Sequence, residues 1–355
     1  MHAHVDSRAW ATLVDLVMER SVDLQQGDPD WDRVFQLARR GRVDALVARR
    51  VQGTAPEPWR RRFADALRRA SFQSVWQARV QREVLEGLKA AGVGPIVLLK
   101  GAALGPLLYG DASLRPMNDL DVLVAPSQRP PAMAALTAIG FTPVATHPGR
   151  PASYAASPDW LLGRAEVPGR VNAAVELHAT LGPPWRFPVD VAGVLARAVP
   201  MPDGSALRLG DTDLLVHLAI HLAKEQMGGT LKHLVDVHRF ITQRAVAWDA
   251  VVDRARAWGA RTALWLTLSL CQDALMTAVP EGVLGQLRPS PLVATWLKTA
   301  FGVTDHGLRR LDLPMRWSQL LFPIADSPRA LSASIARYGR LRLQDLWLSH
   351  RPAVR

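Results

Sequence analysis

Ile96-Val97-Leu98-Leu99-Lys100-Gly101-Ala102-Ala103, followed after a short loop by Asn118-Asp119-Leu120-Asp121-Val122-Leu123-Val124, is the stretch that decides the fold. Residues 96–99 form a brief β-type run with no polar side chain, as expected of a strand covered on both faces. The run ends in Lys-Gly-Ala-Ala, a helix start that predicts a helix over residues 101–109. Residues 110–118 read as a loop. From 120 to 124 the pattern returns to period two, predicting a second strand that carries one carboxylate just before it and one inside it.

Outward from this stretch the period changes. Residues 7 to 92 read as helical: Trp10, Leu13, Val14 and Val17 recur at helical spacing, as do Val34, Leu37 and Ala38. A long amphipathic helix is expected from about 59 to 91, striped by Phe63, Leu67, Ala70, Trp76, Val80, Val84 and Leu88 and stopped by Gly92 and Gly94-Pro95. Downstream, a helix over 130–139 and a strand over 141–144 are expected. A hairpin is expected from 161–166 and 170–177 around Pro168-Gly169. From Asp211, a plausible N-cap, the helical period resumes, with helices near 231–243, 248–258, 260–278 and 291–302. The fold class expected is α+β: a small mixed sheet flanked by helical regions. The divisions expected are 1–92 (N-terminal helical), 93–210 (α/β core) and 211–355 (C-terminal helical).

Composition narrows the setting. With 48% hydrophobic and 21% charged residues and mean hydropathy near zero, 355 residues can build a sizeable core. No run of 18 or more uncharged apolar residues is present, so no membrane span is expected. The N-terminus has no signal-peptide pattern. The lone Cys271 cannot form an internal disulfide and is expected to be an inert core thiol, so a cytoplasmic location is expected. The net charge of +11 comes almost wholly from Arg and is spread along the chain without an accompanying nucleic-acid motif; an anionic small substrate accounts for local charge equally well.

Asp119 and Asp121, two apart in a strand, project to one face while Leu120 and Val122 project to the other. Adjacent carboxylates repel, and a hard divalent cation relieves that repulsion. Glycine lets a backbone approach a ligand closely, and the N–H groups at a helix start attract phosphate. On the later strand Glu176 shares a face with Asn172 and His178, opposite Val175 and Leu177. Two acids on one strand and a third on a separate strand form the pattern of metal-assisted phosphoryl transfer. His217, His221 and Lys224 share one helix face. They lack the Glu of a His-Glu-x-x-His zinc site, so a pocket wall or an ordinary helix face is expected. Lys232 and Asp236 stand i, i+4, the spacing of a surface ion pair.

These residues carry a resemblance. Leu98-Leu99-Lys100-Gly101, Tyr109, Arg115, Asn118-Asp119-Leu120-Asp121-Val122-Leu123-Val124, Gly140-Phe141, Glu176-Leu177-His178, the helix from His217 to Lys224 and Leu231-Lys232-His233-Leu234-Val235-Asp236 are similar to the bacterial uncharacterised nucleotidyltransferase family of the polymerase-beta-like superfamily. The likeness spans roughly residues 30 to 245. It implies that Asp119 and Asp121 hold Mg²⁺ (Mn²⁺ as an alternative), with Glu176 as third acid. It implies nucleotide contacts from Lys100, Gly101, Ala102, Arg115, Lys224 and Lys232. Lys100 is also suited to neutralising carboxylates. His178, His217, His221 and Asp236 are expected near the acceptor or in its pocket. The superfamily usually has Gly-Gly or Gly-Ser where this chain has Gly101-Ala102.

The expected activity is transfer of NMP from an NTP, ATP by default, to a hydroxyl or phosphate acceptor with release of pyrophosphate. The acceptor could be a small molecule, peptide, protein or nucleic-acid end. Two rival readings are a kinase-like transfer of the γ-phosphoryl on the same fold and a non-catalytic nucleotide or nucleic-acid binder. Three acids facing phosphate argue against the binder, because they repel phosphate unless metal is present.

Overall fold

The computed structural model describes residues 2–22, 28–144, 160–165, 173–225, 231–304, 307–308 and 324–349. The helices α1 (His2–Val17), α2 (Trp31–Gly41), α3 (Asp44–Val51) and α4 (Glu57–Ala90) come first. α2 begins where the Asp30 side chain accepts from the Arg33 N–H, leaving one fewer unsatisfied donor in its first turn. α4 starts near 57–58, where Pro fits the first turn, and is stopped by Gly92, whose φ of +70° is left-handed and suits glycine.

The sheet then begins with β1 (Val97–Leu98) and continues after α5 (Lys100–Leu104) with β2 (Leu120–Leu123). The helix expected over 101–109 is divided: α5 gives way to a π-helical turn over Gly105–Tyr109, where Pro106 lies in the first turn. α6 (Arg129–Ala138), β3 (Thr142–Pro143), β4 (Trp160–Arg164) and β5 (Ala173–His178) follow. β4 and β5 pair antiparallel, as the hairpin reading expected. The expected Pro168-Gly169 turn and Asn172 lie outside the described residues.

Beyond β5 are α7 (Val191–Ala196) and two short strands, β6 (Val199–Pro200) and β7 (Leu207–Arg208), that periodicity did not reveal. The helices α8 (Asp211–Lys224), α9 (Leu231–Gln243), α10 (Trp248–Ala257), α11 (Arg261–Leu275), α12 (Glu281–Leu287) and α13 (Pro291–Phe301), a separate two-stranded sheet of β8 (Val303–Thr304) and β9 (Gly307–Leu308), and α14 (Pro328–Ser349) complete the described chain. Asp211 does not cap α8: Gly210 holds that position, and the Asp211 carboxylate instead accepts from Arg208 (2.6 Å) and Arg244 (2.7 Å).

The architecture is α+β. The strands of its seven-stranded sheet run in the order β3-β4-β5-β2-β1-β7-β6, with β2 parallel to β5, β1 parallel to β7, and the remaining neighbours antiparallel. Period two sorts the central strands between two apolar clusters. Leu98, Leu120, Val122, Val124, Val175 and Leu177 pack against α6 and the second half of α4. Val97, Leu99 and Leu123 face the cluster built by the other helices. The chain therefore covers both faces of β1 and β2, and Asp121, Glu176 and His178 project toward the side occupied by α8 and α9. Cys271 is buried in α11, and burial pushes its thiol upward.

Candidate active site

Register brings the acids together. In the parallel pair β2–β5, Asp121 stands opposite Glu176 and Leu123 opposite His178. Residues 119, 121, 176 and 178 thus share a face, and Asp121 and His178 are both buried. The His178 Nε2 lies 2.9 Å from Asp121 Oδ1 and 3.3 Å from Glu176 Oε2. From the start of α5 the Lys100 ammonium donates to the same two oxygens, at 2.5 and 3.1 Å. The Lys224 ammonium reaches Glu176 Oε1 at 3.5 Å from α8.

Lys100 reaches this position from a left-handed backbone, φ +44°. That conformation costs a non-glycine residue about 1 kcal/mol, offset here by two carboxylate contacts. Burial alone would lower its pKa, but Asp121, Glu176 and Asp119 hold it above the usual lysine value. For Glu176, burial pushes upward, and the hydrogen bond and charge of His178, with Lys100 and Lys224, reverse the sign. It stays well below the ordinary carboxylate range. Asp119, half-buried beyond the strand end, is raised by burial and by the charge of Asp121, against the pull of Lys100.

Among the described residues the side chains that could share one ion are Asp121, Glu176 and His178, whose donor atoms all lie within 4.8 Å of one another. Asp119 shares their face but is not in that group. His178, expected near the acceptor, stands beside Asp121 and Glu176 of the expected set as a further candidate ligand. Two carboxylates and an imidazole fit a divalent cation, with the nitrogen donor suiting Mn²⁺ at least as well as Mg²⁺.

Other expected contacts are placed differently. Arg115 does not face the acids with a free guanidinium. It grips Asp236 in two parallel bonds, Nε to Oδ1 at 2.8 Å and Nη2 to Oδ2 at 2.7 Å, and the Tyr109 hydroxyl donates to Asp236 Oδ1 at 2.7 Å. All three are buried. Asp236 is therefore the anchor of the loop leading into Asp119, and the surface pair expected between Lys232 and Asp236 is replaced by this buried clamp. Gly101 packs against Met117, whose Cβ would lie 2.8 Å from an added Cβ, so close packing alone requires glycine there. Gly101 and Ala102 line a cavity of about 450 Å³ beneath α4 that includes none of Asp119, Asp121, Glu176 or His178.

The wall opposite the acids is basic. Lys232 on α9 is 7% exposed. Among the described residues its ammonium has no hydrogen-bond or ion-pair partner. Burial, then Arg115, brings its pKa down to about 7, with Asp236 and Asp119 pulling the other way. His221 meets His233 edge to face at 5.0 Å. Burial holds both imidazoles well below their ordinary value, reinforced by Lys100 at His221 and Lys232 at His233. His217, one turn earlier, is buried. The sequence reading did not single out His233; its i+1 position beside Lys232 was the available signal.

Carboxylates on adjacent strands, an imidazole between them and lysines on the facing helices make this cluster the candidate active site. The chain belongs to the family described as uncharacterised nucleotidyltransferase, which matches residues 27–276. It is accordingly a nucleotidyltransferase. No curated protein and no solved structure matches the chain.

Proposed function

We propose that this nucleotidyltransferase moves NMP from an NTP, with ATP the first donor to test, to a hydroxyl or phosphate acceptor in a divalent-metal-dependent reaction of the polymerase-beta type. The observation that carries the reading is the registered pair Asp121–Glu176, with His178 and Asp119 on the same strand face. Asp119, Asp121, Glu176 and His178 would hold Mg²⁺ or Mn²⁺. When bound, the metal supplies charge neutralisation at the α-phosphate and lowers the barrier to in-line displacement.

The protein's own side chains do the rest. Lys232 and Lys224 receive the negative charge of the triphosphate, Lys232 being the cation whose partner is still to arrive. Lys100 keeps Asp121 and Glu176 ionised. The acceptor oxygen attacks the α-phosphorus, the bond to the bridging α–β oxygen breaks, and pyrophosphate leaves with that electron pair. Where the acceptor is a hydroxyl, Glu176, with His178 next to it at 3.3 Å, accepts its hydrogen bond and orients it for attack, and the proton leaves to water because a carboxylate held this low is a weak base.

The experiment is NTP turnover with labelled α-phosphate in the presence of Mg²⁺ or Mn²⁺. Asp121→Asn is expected to reduce turnover by at least 10²-fold, the scale on which charge-stabilising groups act, while far-UV circular dichroism stays unchanged. Turnover at the parent rate in Asp121→Asn would remove the acid cluster from the reaction. Label from the γ-phosphate, rather than the α-phosphate, in the product would replace nucleotidyl by phosphoryl transfer.

A further inference from the structure

We infer that the cavity beneath α4 is a binding site for a free amino acid with a large apolar side chain. The site is separate from the acid cluster and does not depend on the transferase reading.

The cavity holds about 450 Å³, within the range of about 300–1,000 Å³ that small-molecule sites occupy. One wall is a face of α4. The others are the start of α5, the loop over 112–117 and the turn between β6 and β7. Leu85, Ala102, Pro106 and Met117 make its lining largely apolar, so the body of a ligand must be apolar too.

A buried polar atom there lacks a partner. Gln77 lines the cavity and is 3% exposed. Its Nε2 donates to the Asn118 carbonyl over a long 3.3 Å, whereas its Oε1 has no hydrogen-bond partner among the described residues. A buried acceptor left unpaired is destabilising. The terminal amide torsion of glutamine is soft, so the amide can turn toward an N–H donor brought into the cavity.

Charge at the rim selects the other end of the ligand. Arg115 is spent on Asp236. Lys89 donates to the Ser205 carbonyl at 2.6 Å, and Asp203 accepts from the Ser205 N–H at 3.0 Å. Arg82 and Glu86 are the rim charges left over: both are exposed, and among the described residues neither has a hydrogen-bond or ion-pair partner. They stand i, i+4 on one face of α4, one charge of each sign. A carboxylate facing Arg82 and an ammonium facing Glu86 are the two ends of a zwitterion. A nucleoside triphosphate fits poorly, because Arg82 and Lys89 are matched by Glu86 and Asp203, leaving no net charge to offset several phosphates. A purely apolar molecule would leave Arg82, Glu86 and Gln77 unanswered.

Length agrees with this choice. Arg82 lies about 7.5 Å from Gln77 along the helix axis, at a rise of about 1.5 Å per residue. An amino acid with a bicyclic side chain spans that distance from its carboxylate to a ring N–H, which makes L-tryptophan the probe.

The test is isothermal calorimetry of the full chain with L-tryptophan, without NTP or metal. Saturable binding at one site is expected. Tryptamine and indole-3-propionate, which each lack one charge, should bind several-fold more weakly, the scale of one exposed charge contact. So should 1-methyl-L-tryptophan, which lacks the ring N–H. Arg82→Gln should weaken L-tryptophan several-fold and leave tryptamine unchanged. Glu86→Gln should weaken L-tryptophan and leave indole-3-propionate unchanged. Gln77→Leu should close the gap between L-tryptophan and its 1-methyl form. Both rim variants replace exposed residues without partners, so they keep the fold. Absence of L-tryptophan binding overturns the proposal, as does binding indifferent to both rim variants. Displacement of L-tryptophan by ATP also overturns it, by assigning the cavity to nucleotide. Because neither NTP nor metal enters the first titration, its failure leaves the acid-cluster reading untouched. Conversely, unchanged NTP turnover in Asp121→Asn would sink that reading and leave the cavity as a binding site.

Discussion

Lys232 illustrates what one side chain does to the whole site. Its amine titrates near 10.5 when the chain is unfolded and at about 7 when folded. Between those values the unfolded chain holds a proton that the folded chain lacks, so stability rises with pH across that window and the gain is lost as pH falls toward 7. The slope is up to about 1.4 kcal/mol per pH unit. Urea unfolding at pH 7 and pH 9 should show this rise, and Lys232→Met should abolish it. The same amine, meeting a triphosphate, would be driven back to its charged form, so nucleotide binding above pH 7 should take up a proton that calorimetry in two buffers can count. Little of this was legible beforehand. An i, i+4 Lys and Asp look like a surface pair, and nothing local announces that Arg115, 121 residues away in sequence, claims the Asp.

At the scale of elements, the alternation of residues 120–124 was sufficient to place Asp119 and Asp121 on one face, because period two is a property of any strand. The register that sets Asp121 beside Glu176 depends on pairing between segments more than fifty residues apart. It followed only once both strands were in one sheet. The two-residue strands β6 and β7 carry too little pattern to detect, and the bridging by Lys100 requires a backbone conformation that lysine seldom adopts. The clamp from α9 to the loop before β2 is the element contact most open to test. Asp236→Ala leaves Arg115 charged, buried and unpaired, and should cost about 3–5 kcal/mol in urea unfolding. Replacing both partners, Arg115→Met with Asp236→Leu, should recover most of that loss while leaving NTP turnover impaired, because the loop into Asp119 has lost its anchor.

For the whole molecule, α4 is the member that joins its parts. Its first half puts Phe63 into the cluster shared with α1–α3 and α8–α13, and its second half puts Val80, Val84 and Leu88 under the sheet. Phe63→Ala and Leu88→Ala empty opposite ends of one helix, each fully buried, and each should cost about 3–5 kcal/mol. Both should lower a single calorimetric transition. Two separate transitions would mean that the helical and sheet regions melt independently. No helix among the described residues is long and apolar enough to cross a membrane. The α+β class and the helical flanks were readable because apolar periods of 3.6 and 2 alternate along the chain, whereas the sharing of α4 between two cores leaves no mark on either period.

The ammonium of Lys100 also makes the acid cluster self-sufficient. A site that supplies its own counterion does not bind an incoming cation into a vacuum of charge; it trades one cation for another. The observed affinity is then a difference, weaker than the bare carboxylates would give and set partly by how readily a lysine in a left-handed backbone swings away. Lys100→Gln should bind Mn²⁺ more tightly than the parent in calorimetry even as turnover falls. Equal or weaker binding would show that lysine and metal do not compete. By this exchange the protein would remain folded when metal is scarce and release its ion readily after each turnover, trading grip for reversibility.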